Sequence, residues 1–315
     1  MMSAGVWLVV RRMVRMVGVL VATLVASCAQ PTVAPEPAPP SAVAGVAPQR
    51  VLMLSPALTE IAFAVGAGDQ IVGVSDFTTY PPEAAAKPIV GAFLNPDLEL
   101  MATLEPDLLV VQGEAQKIRD WAGAQGYEVA AYPLDSVADI LAAMRDLGRR
   151  LGHAAEGEQA ASALEAELEA VRADAAARPP VPTFVSVGRA PGRLTALTTC
   201  GPGTFLAELL TLAGGANVFA DATGLYPTPS LEALLERQPE VILDLAVGED
   251  LDAAARAARL ADWAPVAETP AVRNGRVVVL TDDILLVPGP RVGQAARLLA
   301  ETLLGDAVAG QTEES

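Results

Sequence analysis

Beyond residue 50, short apolar and β-branched runs alternate with longer stretches whose apolar positions recur every three to four residues. That alternation predicts α/β units built on parallel strands. Strands are expected near 50–54, 71–74, 108–111 and 128–132 in the first half, and near 183–187, 241–245 and 276–280 in the second, with a helix over 204–213. Between the first two strands, Ser55 can cap a helix, Pro56 suits its first position and Gly66 supplies a left-handed stop.

From Ala155 to about Ala177 there is no Pro, and Ala161, Leu164, Leu168 and Val171 fall on one face with Glu on the others. This is the pattern of an amphipathic helix, roughly 30 Å long at 1.5 Å per residue. Arg178-Pro179-Pro180-Val181-Pro182 then breaks it. The halves on either side share a plan. Asp97-Leu98-Glu99, a helical turn or two, then Pro106-Asp107 and a strand, is matched by Ser230-Leu231-Glu232 and Pro239-Glu240. Glu60-Ile61 to Gly66 is echoed by Glu208-Leu209 to Gly214. The expected architecture is therefore two α/β lobes joined by one long helix, a clam with a stiff hinge.

The first residues read differently. Arg11, Arg12 and Arg15 precede an uncharged run, Met16 to Ser27, that is too short for a membrane span of about 20 residues and reads as a secretory h-region. It ends Val25-Ala26-Ser27-Cys28, which resembles the lipobox of bacterial lipoproteins, where the Cys becomes the lipidated first residue. Residues 29–49 hold six Pro and one charge without apolar period, so an extended tether is expected. The division is thus signal peptide 1–27, lipidated Cys28 and tether to 49, first lobe 50–152, connecting helix 153–178, second lobe 179–305 and tail 306–315. With Cys28 consumed by lipid, Cys200 stands alone, so no disulfide is expected.

Composition narrows the chemistry. A formal charge of −17 over 315 residues argues against a nucleic-acid partner held by a basic patch. One His leaves no set of imidazoles for a free-metal site. Aromatics make up only 4%, so each one placed in a loop stands out. A catalytic role finds little support: His153 follows a helix end, there is no Gly-x-Ser-x-Gly elbow, and Gly201-Pro202-Gly203-Thr204 lacks the Lys of a phosphate loop.

Several segments together resemble one family: Ser55-Pro56 to Thr59-Glu60, Val72 to Asp76, Tyr80-Pro81-Pro82-Glu83, Asn95-Pro96-Asp97-Leu98-Glu99 and Pro288-Gly289-Pro290-Arg291. They are similar to the class III periplasmic substrate-binding proteins of ABC importers over about residues 50–305. The resemblance implies two Rossmann-like lobes with ligand in the cleft between them, no catalytic activity and no cofactor of the protein's own. Its Tyr-Pro-Pro loop and Ser-Pro-x-x-Thr-Glu opening are most similar to the vitamin-B12-binding members, which implies a corrinoid such as cobalamin. Haem or a ferric siderophore is the alternative. Open α/β sheets bind ligands at the carboxyl ends of their strands, which nominates the loops after Val74, Val111 and Val187.

Carried over residue by residue, the resemblance implies ligand contacts from Tyr80, Phe93, Tyr226 and Asp283. Asp282 and Asp283 also suit a plain strand-end turn. Tyr80 could either stack on a corrin or ligate a ferric ion. The pattern departs near Gln112, where a Trp would be expected, and at Gly188 to Thr199, which lacks a Phe pair. Glu99 and Glu232 resemble the paired docking points for the two permease subunits, although acids near helix N-termini are also favoured by the dipole. The expected partners are an ABC permease with its ATPase, a metal-chelate ligand and a membrane reached through the lipid anchor, for an exported, monomeric protein. A lipoprotein without a transport role is the remaining alternative.

Overall fold

The computed structural model describes residues 47–92 and 95–305. The signal segment, Cys28, most of the tether, Phe93 and the tail from 306 lie outside the described residues.

In chain order the first lobe comprises β1 (Val51–Met53), α1 (Pro56–Ala64), β2 (Ile71–Val74), α2 (Pro82–Ala85), a small hairpin β3 (Gly91–Ala92) and β4 (Asn95–Pro96), α3 (Leu98–Thr103), β5 (Leu108–Gln112), α4 (Gln116–Gln125) and β6 (Glu128–Tyr132). The helices α5 (Val137–Arg150) and α6 (Ala154–Ala175) follow. The second lobe holds β7 (Val181–Ser186), α7 (Phe205–Leu212), β8 (Gly215–Asn217), α8 (Leu231–Arg237), β9 (Val241–Leu245), α9 (Ala253–Ala261), α10 (Pro270–Arg273), β10 (Val277–Leu280) and α11 (Val292–Leu304).

Each lobe is a parallel four-stranded sheet, and the two share one order. Reading second, first, third and fourth strand, the sheets are β2-β1-β5-β6 and β8-β7-β9-β10. The likeness extends to single residues. Asp97 caps α3 by accepting from the Leu100 amide, and Ser230 caps α8 by accepting from the Ala233 amide. Glu105 and Gln238, each before a Pro, are left-handed with φ of 43° and 46°. Gly66 and Gly214 end α1 and α7 with φ of 87° and 88°.

Strand alternation sends successive side chains to opposite faces, and the two faces of each sheet meet different cores. Val51, Met53 and Val110 of the first sheet and Val185 and Leu243 of the second belong to one buried cluster with Leu147 of α5, Leu168 of α6 and Leu299 of α11. The outer faces close separately, over Leu52, Leu109 and Met101 in one lobe and over Phe184, Ile242 and Trp263 in the other. The lobes are thus joined by a shared apolar core as well as by the chain.

The helix α6, 22 residues long, buries Ala161, Leu164, Leu168 and Val171 in that core. Burying a side chain such as Leu or Val stabilises by about 1.5–3 kcal/mol. Exposed pairs such as Arg145 with Glu158 and Glu165 contribute only about 0–1 kcal/mol each, so the apolar stripe holds the helix in place. Its neighbour α5 comes very close. A Cβ on Gly148 would lie 2.9 Å from the Gly157 Cα, and one on Gly157 would lie 2.9 Å from the Met144 carbonyl oxygen.

Three details differ from the sequence expectation. Ser55 makes no side-chain cap, because its hydroxyl donates to Gln112 Oε1 at 2.9 Å. The strand β7 begins at Val181 despite Pro182, because the Val181 amide pairs with the Gly214 carbonyl and Pro182 supplies only its carbonyl, to the Glu240 amide. The edge strand β8, Gly-Ala-Asn, carries no β-branched signal and is defined by its pairing with β7.

Candidate functional site

In both parallel sheets the loops after β1, β2, β5 and β6, and after β7, β8, β9 and β10, leave from the carboxyl ends of the strands. Crossover helices run back antiparallel to the strands, so α3 and α8 begin at these same ends. Tyr80, Tyr226, Asp283, Glu99 and Glu232 all sit on these loops or helix starts.

The loop after β2 is pinned at its base by the Ser75 amide to the Met53 carbonyl and the Asp76 amide to the Gly91 carbonyl. It presents Tyr80, 45% exposed and joined to Pro81 by a cis peptide. The Arg291 guanidinium lies over the Tyr80 ring, 4.4 Å from its centroid. Arg291 belongs to the other lobe, at the N-cap of α11. Its Nε and Nη2 donate to the two oxygens of Glu60 on α1 at 2.8 and 2.5 Å, and its Nη1 donates to Asp283 Oδ1 at 2.9 Å. One guanidinium therefore joins Glu60 and Tyr80 of the first lobe to Asp283 of the second.

Burial grades this cluster. Glu60 is 3% exposed, Arg291 12% and Asp283 39%. Burial pushes the Glu60 carboxyl above its ordinary value, opposed by the hydrogen bonds and charge of Arg291. The Arg291 guanidinium is held above its own ordinary range, chiefly by its bonds to Glu60. A planar fork binding a carboxylate at two points is the geometry that repays such desolvation. Asp283 keeps an accessible edge toward solvent, while Asp282 beside it is used locally, accepting from the Ile284 amide.

Tyr226 comes from the loop after β8, as Tyr80 comes from the loop after β2. Both precede a Pro, and both lie ahead of the third strand's crossover helix. The segment 224–227 is laid against 199–201 through Gly201 amide to Leu225 carbonyl and Thr199 amide to Pro227 carbonyl bonds. Only Gly fits at 201, since a Cβ there would meet the Gly224 carbonyl oxygen at 2.2 Å. Tyr226 is 47% exposed. Its phenol is raised, first by partial burial and then by repulsion from the Cys200 thiol once ionised and from Asp135, a first-lobe residue next to the N-cap of α5. Tyr80 thus stands where the other lobe's last helix begins, and no hydrogen bond, ion pair or ring contact among the described residues links Tyr226 to that cluster.

Glu99 and Glu232 are exposed, occupy equivalent second positions of α3 and α8, and form no ion pair among the described residues. The Glu232 carboxyl is held below its usual range by its own backbone amide and the Ser230 hydroxyl. The resemblance supplied Phe93 as well, which lies outside the described residues. His153 occupies the N-cap of α6 and its ring lies against Gly66. Thr204, at the end of the Gly201-Pro202-Gly203-Thr204 run, caps α7 by accepting from the Ala207 amide.

Two residues of the region carried no assignment in the sequence. Arg291 was visible only as part of a motif, because its partners Glu60 and Tyr80 lie more than 200 residues away in the chain. Phe77 is 85% exposed between buried Ser75 and Thr78, with φ of 65°. An aromatic loop residue in an aromatic-poor chain was its available signal. The Gly188 to Thr199 segment, noted for its missing aromatics, is anchored from beneath: Arg189 is 1% exposed and bonds Asp244, Asp262 and the Arg259 carbonyl. Asp244, fully buried, also accepts from Arg259 and from Trp263 Nε1. A cavity of about 540 Å³ along α7, lined by Val137, Arg172, Ala207 and Thr211 among others, contains none of the predicted ligand contacts.

The sequence pattern of a family described as Periplasmic binding protein matches residues 51–284. The vitamin B12-binding protein of Pectobacterium atrosepticum is 31% identical over 263 residues, covering 81% of this chain and 88% of the relative. Among solved structures, the periplasmic vitamin B12 binding protein of Vibrio cholerae superposes with a TM-score of 0.68 at 28% identity, over 81% of this chain and 96% of that one. The periplasmic heme-binding protein RhuT from Roseiflexus sp. RS-1, in apo form, superposes with a TM-score of 0.69 at 29% identity, over 82% and 99%.

Proposed function

We propose, for a chain that belongs to the periplasmic binding protein family, that it captures a flat metal chelate between its two lobes, cobalamin or another corrinoid, and delivers it to an ABC permease. The observation that carries this reading is the pair Tyr80 and Tyr226. They are half-exposed aromatics at equivalent places in two repeated lobes, one for each face of a planar ligand. Flat rings bury apolar area with little loss of side-chain freedom, and the Asp283 edge is free to accept from polar groups at the ligand's rim. The B12-binding relatives support the corrinoid.

A second reading is haem or a ferric siderophore. It is favoured by the phenol of Tyr80, a ligand type for ferric iron, and by the likeness to a heme-binding protein. Delivery would use Glu99 and Glu232, one per lobe, as docking points for a twofold permease, with Cys28 as the lipid-bearing residue that holds the exported protein at a membrane.

Visible-absorption titration of the purified protein with cyanocobalamin, haemin and ferric siderophores tests the reading. Saturable binding of cyanocobalamin, weakened at least about tenfold by Tyr80→Ala and by Tyr226→Ala, is expected. A Soret shift with haemin that is lost in Tyr80→Ala would replace corrinoid by haem. Binding of none of these chelates would overturn both readings.

A further inference from the structure

The cluster at the junction of the lobes contains more than a staple. Glu60 alone would satisfy Arg291 as an ion pair, yet the guanidinium is placed so that its face also covers the ring of Tyr80. Tyr80 stands on a loop and is 45% exposed, and such a side chain loses rotamer freedom when a ligand immobilises it. A cation over the ring face removes part of that freedom beforehand. The support is itself rigid, since Arg291 is fixed at three of its nitrogens by two carboxylates from two lobes. A lysine, with one point charge on a flexible stem, reproduces neither the fork nor the stacked plane.

We propose that Arg291 is a positioning residue for ligand capture: held by Glu60 and Asp283, it sets the Tyr80 ring in its binding orientation before ligand arrives. The consequence for affinity rests on Tyr80 being a ligand platform; the consequence for the ring does not. Tyr80 is thereby oriented from the opposite lobe, so the same contact that joins the lobes prepares the ligand surface.

The test compares Arg291→Lys and Arg291→Met in the Tyr80 protein and in a Tyr80→Leu background. Without ligand, ring resonances of ¹³C-tyrosine-labelled protein should move for Tyr80 in both variants and stay in place for Tyr127 and Tyr132. With cyanocobalamin and with haemin, affinity should fall by about tenfold in the Tyr80 protein and by less than about twofold in the Tyr80→Leu background. An unmoved Tyr80 resonance, or an equal loss of affinity in both backgrounds, would overturn the proposal and leave Arg291 as a staple only. If the unaltered protein binds neither chelate, the ligand reading falls and the ring resonances alone decide the positioning role. Should Arg291→Met fail to fold, Glu60→Gln, which loosens the guanidinium while keeping Arg291, carries the same comparison.

Discussion

Glu60 and Glu208 occupy equivalent positions in the first helix of each lobe, and each reaches the start of the other lobe's last helix. Glu60 grips the Arg291 side chain at the N-cap of α11, whereas Glu208 Oε2 accepts from the Val137 amide at the first turn of α5, at 2.8 Å. The geometry is shared and the energetics are not.

Replacing Glu60 by Gln leaves a largely buried cation with only Asp283, and breaking such a pair typically costs about 3–5 kcal/mol. A loss near 3 kcal/mol is expected because Asp283 remains. Glu208→Gln keeps an acceptor for one backbone amide and should cost about 1 kcal/mol. Urea denaturation of the two variants checks this, and equal losses would show that the ion pair carries no special weight.

Charge reversal at the exposed pair Glu99 and Glu232 separates docking from capture. Both acids are exposed and form no ion pair among the described residues, so the Glu99→Arg, Glu232→Arg double variant should remain folded and bind ligand as before. Uptake by cells carrying it should be abolished. Full transport would remove these residues from the permease contact.

Phe77 offers a stability measurement paired with a binding one. Left-handed backbone costs a non-glycine residue about 1–2 kcal/mol, and glycine relieves that strain while losing about 0.5–1 kcal/mol to chain entropy. Phe77→Gly should therefore leave unfolding free energy within about 1 kcal/mol of the parent. If the exposed ring contacts ligand, affinity should fall at least about tenfold in the same protein. Parent-like affinity would make Phe77 a strained bystander.

Cys200 is free and buried, and burial pushes its thiol up to about 12 from 9.0. Above pH 9 the unfolded chain gives up this proton while the folded chain keeps it. Stability present below pH 9 should thus decline as pH rises toward 12. Tyr132, also raised by burial, adds to the same slope, so the Cys200 share is the part removed by Cys200→Ala. At pH 8 the thiol should react with a disulfide reagent only after unfolding; rapid reaction of the native protein would contradict its burial.

Much of the fold was legible because its signals are local. The strands Ile71–Val74, Glu128–Tyr132 and Val241–Leu245 coincide with the predicted runs, and the caps Asp97 and Ser230 were visible as capping residues ahead of Leu-Glu. The strand β8 was hidden because Gly215–Asn217 gains its structure from a neighbour. Residues 80 and 226 were visible as aromatic-Pro pairs, whereas the role of Arg291 was not, since its partners Glu60, Tyr80 and Asp283 converge only after both lobes have formed. Likewise, Ser55 has the residue type of a cap, but its hydroxyl donates to Gln112, 57 residues on in the chain.

The single core beneath both sheets separates what is repeated in this chain from what can stand alone. One half, cut free, would expose the inner face carrying Val51, Met53 and Val110 or its counterpart with Val185 and Leu243. A half-length chain would leave such a face open to water, and a second copy of itself would offer a matching apolar face. The exchange seen at Glu60 and Glu208, each reaching into the opposite half, is the reciprocal contact that a two-fold self-association produces. In this protein that two-fold relationship lies within one chain.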